Sequence, residues 1–392
     1  MNSERSTVFL TLLLGTLSLI LHPYVLTIVV AIIQVWRVVR PIYFLPLYSV
    51  SLATFWGSRE YGFSTESFLD DAIANFRQFD NIRDGGVIQL FGDFASGASG
   101  NELVYGLYVY FVGLFTSEHQ VFAFLTYLLI ATLVSLAGIA ADRRYYMVFI
   151  AILFYGLGSF VQLEIYHLWR SAIASLLCLL GVLYFERNRG RGVIILGAAF
   201  MVHLIAFIGF ASFVMLKLLA RFPGRYRALA YLCTVVVATF VLYRYYTVID
   251  VIAGKDLLGV YFSGASELYL FDWFKLIFVC VVFVILHFRE FDDRTVFITT
   301  MIVFTILVYA LLPGTSFSGR FYQFVIVFVN LALFQIVIRI QRKVVITLTL
   351  FILFTAKFVV LVNSELTLSA FPYFTNIASG TLFFVFRSLG IV

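Results

Sequence analysis

The sequence predicts an all-α polytopic integral membrane protein of about 10–12 transmembrane helices, with interfacial or re-entrant short helices. Two bulk observations and one pattern carry this. Of 392 residues, 62% are hydrophobic and only 12% are charged, and the mean hydropathy is +1.01. Soluble domains carry about 25% charged residues, so a chain this poor in charge cannot cover its own surface with polar groups. Its solvent is largely lipid. Backbone groups in a bilayer must be satisfied within a helix or around a closed barrel, and apolar runs that are continuous rather than alternating select helices.

The runs predict spans near 7–22, 24–36, 41–57, 120–140, 145–161, 170–185, 193–216, 228–248, 273–288, 295–312, 321–338 and 344–362. Basic clusters punctuate them: Arg37 with Arg40; Arg143 with Arg144; Arg187, Arg189 and Arg191; Lys217, Arg221, Arg225 and Arg227; Arg339, Arg342 and Lys343. Short loops rich in Lys and Arg stay inside, so these clusters share one face. The stretch 58–102 holds eight acids and three arginines and 249–272 is net acidic, so both are expected as outward loops. The chain reads as a single membrane domain, 1–392, with no repeat or linker.

Two segments strain this alternation. Residues 103–116 read as an aromatic helix on or in the outer interface, followed by one true span. The run 193–216 has basic clusters on both sides: it is a single span that breaks the charge rule, or it turns back near His203 as two short helices. The turn is favoured, since re-entrant backbone is tolerated where protein or a wet cavity surrounds it. His22-Pro23 marks a turn between two helices or a kink in one.

The net charge of +6 is explained by inside loops, so no nucleic-acid partner is expected. Cys178, Cys233 and Cys280 lie in apolar runs and read as packing residues rather than a disulfide framework. No signal-peptide cleavage site is evident after the run from Val8.

Ionisable groups at membrane depth are expensive and mark function by default. Arg170 opens RSAIASLLCLLGVLYF, His203 stands alone in AAFMVHLIAFIGF, Arg320 begins RFYQFVIVFVN, and Arg59 follows the third run at WGSREYG. An arginine at a helix end often only snorkels to headgroups. These three, however, sit on the outward side against the charge rule, and a shared anionic ligand supplies the reason, since the guanidinium fork fits phosphate oxygens. Glu102 borders the aromatic run NELVYGLYVYF, where partial burial favours a carboxyl group's protonated form and a base's working range. Glu164 and His167, three residues apart, precede Arg170 and share a helical face or form a polar interfacial turn. The pair Asp70-Asp71 is a metal or base candidate that reads more simply as solvated.

Arg59-Glu60-Tyr61-Gly62, Glu102-Leu103-Val104-Tyr105, Arg170-Ser171-Ala172-Ile173-Ala174, His203-Leu204-Ile205-Ala206 and Ser318-Gly319-Arg320 come in this order over about residues 40–340. In that order they resemble the bacterial Wzy O-antigen polymerases, especially their EpsG-like branch. Departures exist: Ser64 and Phe68 stand where the family often has Asp and Tyr, Ser171 replaces a glutamine, and Leu204 a small polar residue.

The resemblance implies an O-antigen or polysaccharide polymerase in the bacterial inner membrane, with loop 58–102 and the active site facing the periplasm. Repeat units carried on undecaprenyl diphosphate would be joined by glycosyl transfer, with release of the lipid diphosphate. Arg170, His203, Arg320 and Glu102 are then the expected catalytic residues, and Arg59, Glu164 and His167 the substrate-binding ones. No cofactor and no metal are expected, because the diphosphate is already an activated leaving group. Membrane lipid and a chain-length regulator protein are the further expected partners. Rival readings are an O-antigen ligase, a glycosyltransferase using a polyprenyl-linked sugar, and a transporter or flippase of lipid-linked glycans.

Overall fold

The computed structural model describes residues 2–37, 44–59, 61, 64–65, 68–69, 72–96, 102–156, 169–185, 187–203, 205–218, 233, 237, 270–287, 292–311, 316–364, 371, 374 and 380–388. Three helices come first, α1 (Asn2–Ile20), α2 (Pro23–Arg37) and α3 (Phe44–Gly57). A two-residue antiparallel ladder follows, β1 (Ser64–Thr65) with β2 (Phe68–Leu69), Ser64 opposite Leu69. Then come α4 (Ala72–Ser96), α5 (Leu103–Gly113), α6 (His119–Ala141), α7 (Tyr146–Tyr155), α8 (Trp169–Phe185), α9 (Arg189–Val202) and α10 (Ala206–Leu218). Beyond a stretch that is not described lie α11 (Leu270–His287), α12 (Asp293–Leu311), α13 (Ser316–Arg339), α14 (Lys343–Val362) and α15 (Thr381–Ser388).

Among the described residues, four helices are long and apolar enough to cross a membrane: His119–Ala141, Asp293–Ala310, Phe321–Arg339 and Lys343–Val362. Shorter apolar helices, among them Trp169–Phe185 and Phe274–His287, pack with them. The architecture is the all-α polytopic membrane protein the composition demands. The expected span 228–248 lies outside the described residues except at 233 and 237, as does loop 249–272 except at 270–272. Cys178 and Cys280 are buried in their helices, whereas Cys233 is exposed and does not have the packing role expected for it.

Two segments depart from the expected outline. The stretch 58–102 is not mainly loop: residues 72–96 form α4, interrupted at Gly86, whose φ of 62° and ψ of −154° suit only glycine. Its low density of apolar residues hid it from a hydropathy reading. Helix α7 is only ten residues, about 15 Å long, and every side chain in it is buried. Gln34 Oε1 accepts from Met147 N–H at 2.9 Å and so satisfies one donor in its first turn.

The run 193–216 turns back, as favoured. Helix α9 ends at His203 and α10 begins at Ala206, giving legs of about 21 and 20 Å, short of the ~30 Å hydrocarbon core. Both legs root at one end of the bundle. Arg187 Nη2 donates to Ala140 O at 3.1 Å, tying the α8–α9 turn to the end of α6. Lys217, near the end of α10, is ion-paired with Asp293 at the start of α12. Asp292 and Arg294, on either side of Asp293, line one cavity with Ala141 and Asp142 at the end of α6. Arg187 and Lys217, one from each of the basic clusters that flank the hairpin, therefore stand at the same end. Its first leg lies very close to α8: a Cβ on Gly192 would stand 2.5 Å from Phe185 Cα, and one on Gly181 2.6 Å from Leu196 Cγ. Small residues let membrane helices approach in this way.

This geometry is testable by labelling. With Arg189→Cys and Leu218→Cys introduced singly into a cysteine-free chain, both thiols are expected to react with an impermeant reagent from the same side of the membrane. Labelling from opposite sides would mean that the segment crosses once.

Candidate functional site

Glu102 occupies the N-cap position of α5, but its side chain caps nothing. It is buried, 6% exposed, and its charge is met instead by a neighbouring helix. Arg170, second residue of α8, donates from Nη1 to Glu102 Oε2 at 2.5 Å. The hairpin tip supplies the third group. His203 leaves helical geometry (φ −153°, ψ 131°), and its Nδ1 lies 3.7 Å from Glu102 Oε1.

The hydrogen bonds assign the histidine's state. Nδ1 accepts from Ile205 N–H at 3.3 Å, so the neutral ring carries its proton on Nε2. At 3.7 Å the carboxylate is beyond hydrogen-bond reach. Its influence on the ring is electrostatic. Arg170 differs from both partners in access: 32% of its side chain is exposed against 6% for Glu102 and 10% for His203. The guanidinium thus joins a buried carboxylate to the open side of the site.

Aromatic residues hold this arrangement. The Arg170 guanidinium lies 5.9 Å from the Tyr105 ring, and the Tyr105 hydroxyl donates to Asn75 Oδ1 at 3.3 Å, linking α5 to α4. Trp169 is fully buried among Phe76, Phe122 and Tyr127, with ring centroids 5.4–5.9 Å away. Arg59 is buried at the end of α3, with its guanidinium 4.7 Å from the Tyr61 ring. Tyr61 meets Phe76, which meets Trp169, so an aromatic chain connects Arg59 to the start of α8.

A second polar group ties α4 to α6. His119 Nε2 lies 3.0 Å from both oxygens of Asp80, and its ring stacks on Phe76 at 4.6 Å. Arg83 bonds Asp84 at 2.8 Å, and that bond holds the guanidinium's pKa above its ordinary value. The sequence alone does not single out Asp80, His119, Asn75 or the Tyr105 hydroxyl as members of these groups. Of these only Tyr105 left a signal, three residues after Glu102, at the spacing of one helical face.

The expected residues fare unequally. Glu102, Arg170 and His203 are brought together. Arg320 is the fifth residue of α13, whose far end, with Ile338 and Arg339, lines the cavity at the hairpin's roots. Its backbone is thus at the end of the bundle that holds Glu102, and its side chain is not described. Glu164, His167 and the Asp70-Asp71 pair lie outside the described residues. Among the described residues, no three His, Cys, Asp or Glu side chains form a metal-holding group.

The family model described as "EpsG family" matches residues 70–375, well over half of the chain. The chain belongs to the EpsG family. The resemblance drawn from the sparse motifs thus holds, although Arg59 lies ahead of the matched stretch. EpsG membership points to a polymerase-type role in polysaccharide synthesis by a multi-pass membrane protein. No match to the chain was found among curated proteins or solved structures.

The Arg170–Glu102 bond makes a quantitative prediction. Hydrogen bonds to charged groups contribute about 1.5–3 kcal/mol. Glu102→Gln and Arg170→Gln are each expected to lower unfolding stability in detergent by about that amount. The double substitution should cost clearly less than the two summed. Additive losses would show that the pair is not coupled.

Proposed function

We propose that this EpsG-family chain joins oligosaccharide repeat units carried on a polyprenyl diphosphate, at the outer face of the bacterial inner membrane. The observation that supports this most is the meeting of an accessible arginine, a buried carboxylate and a histidine at the tip of a re-entrant hairpin. In the reaction, an acceptor sugar hydroxyl attacks the anomeric carbon of the growing chain. The new glycosidic C–O bond forms as the bond from that carbon to the diphosphate breaks, and the lipid diphosphate leaves with the electron pair. Negative charge develops on the departing oxygen, where the Arg170 guanidinium stabilises it, joined by Arg320 from the start of α13. His203 takes the hydroxyl proton at Nδ1, and Glu102 stabilises the imidazolium so formed. Glu102 also fixes the Arg170 fork before substrate arrives, so that little reorganisation is needed during reaction.

The decisive experiment incubates purified protein with defined lipid-linked repeat units and resolves product length. A ladder of increasing length is expected. Single transfers to a different lipid acceptor would identify a ligase instead. Arg170→Ala should remain inserted yet make no long chains. Arg170→Lys should restore little, because a point charge does not reproduce the planar fork. Wild-type activity in Arg170→Ala would remove the arginine from the mechanism.

The arginines also make the reaction independent of divalent metal in this reading. EDTA is expected to leave chain elongation unchanged. Full loss restored by one specific cation would assign the leaving-group role to a metal and promote Asp70-Asp71 to ligands.

A further inference from the structure

The cavity at the hairpin's roots is a second candidate site, independent of the reaction proposed at the tip. It measures about 690 Å³ and lies between the α6–α7 turn, the start of α12 and the α13–α14 turn. Among the described residues, four permanent cations line it, Arg144, Arg294, Arg339 and Lys343, against two acids, Asp142 and Asp292. Both acids already serve the backbone. Asp142 Oδ1 accepts from the N–H groups of Arg144 and Tyr145 at 2.6 and 3.0 Å, and Asp292 Oδ1 accepts from Thr295 N–H at 2.7 Å. Gln335, with its amide turned to accept, takes bonds from Arg294 Nη2 and Nε at 2.7 and 3.1 Å, which fixes the plane of that guanidinium. The lining is therefore a cationic cradle whose carboxylates are committed to helix ends.

Its depth in the membrane can be read from α14. Lys343 Nζ donates to Trp36 O at 3.3 Å, and the Trp36 indole, 48% exposed, donates to Thr347 at 3.0 Å. A half-exposed tryptophan with its N–H engaged is typical of the headgroup layer. Just beyond Lys343, Val344, Leu348, Phe351 and Ile352 are all more than half exposed, an apolar face that only lipid tails would cover. The mouth of the cavity thus stands where lipid phosphates lie.

From this we infer that the cavity binds the phosphate headgroup of an anionic phospholipid in the leaflet that faces the basic clusters. Basic pockets between membrane helices hold such headgroups, and guanidinium groups match phosphate oxygens in pairs.

Native mass spectrometry of the purified full chain tests this with phosphatidylglycerol, phosphatidylcholine and inorganic phosphate as probes. Wild-type protein is expected to retain phosphatidylglycerol more than about tenfold over phosphatidylcholine, three rim cations each adding a juxtamembrane attraction. The combined Arg144→Gln, Arg339→Gln and Lys343→Gln variant should lose that preference. The combined Arg189→Gln and Arg191→Gln variant, which removes charge at the same end but outside the cavity, should keep it. Arg144→Gln alone, at an exposed side chain, should give a partial loss and serves if the triple variant does not fold. Equal losses in the two combined variants would overturn the cavity assignment in favour of diffuse surface charge. Full displacement of the lipid by an equal concentration of inorganic phosphate would overturn the lipid assignment.

Discussion

A carboxylate that is 6% exposed in a membrane bundle cannot stand uncompensated, and the arrangement of α5, α8 and the α9–α10 hairpin follows from that constraint. Placing a charge at membrane depth costs several kcal/mol. Among the described residues Glu102 is met by the cation of Arg170, 68 positions further along the chain, and the imidazole of His203, 101 positions along, stands beside the pair. Satisfying one buried charge fixes the height of α5 against α8, and the hairpin tip packs beside the pair. The glycine contacts between α8 and α9 make the same demand from the apolar side. Gly181 and Gly192 bring the helices so close that neither can slide without a collision. Polar pairing sets the register and packing enforces it.

The hairpin tip shows how backbone can turn inside a bundle without leaving donors stranded. His203 N–H donates to Ala199 O at 3.1 Å, Ala206 N–H donates to His203 O at 3.0 Å, and Ile205 N–H uses the imidazole Nδ1 itself. The turn is thus largely closed on itself, as irregular backbone at this depth requires. One consequence is chemical. The atom that accepts from the turn is also the atom facing Glu102, so protonating Nδ1 gives up the Ile205 bond and strengthens the carboxylate contact. Proton uptake and the local conformation of the tip are coupled through a single ring nitrogen.

Much of this was legible in the sequence, and the reasons differ by element. Continuous apolar runs reported α1–α3, α6, α8 and α11–α14, because in lipid composition alone dictates helix. Basic residues on both sides of 193–216 reported the hairpin, because orientation follows short-loop charge. Glu102, Arg170 and His203 were recognisable singly as charges the membrane resists, but their meeting was not, since no local pattern encodes contact across such separations. Helix α4 was invisible: outside the bilayer a helix needs no apolar run, and its acids suggested solvated loop. With α4 went Asn75, Asp80 and the contacts that seat Tyr105 and His119.

The position of Arg170 against the charge rule now has a partial account that changes the argument about ligands. From sequence, an outward arginine calls for a bound anion to justify it. In the structure Glu102 already supplies a negative charge at 2.5 Å, so stability alone explains why the arginine is tolerated there. What stability does not explain is the asymmetry of access. A purely structural pair at this depth would gain by burying both members and bonding them through both arms of the fork. Among the described residues the bond given to Glu102 runs through Nη1, and about a third of the arginine side chain is exposed while its partner is sealed. A buried carboxylate behind an arginine orients it. The Lys217–Asp293 pair lacks this asymmetry: the two side chains are 27% and 25% exposed and the lysine lies over Phe185 and Phe213. The balanced pair anchors a helix end, whereas the unbalanced one leaves its cation partly exposed, which is the access the proposed reaction needs of Arg170.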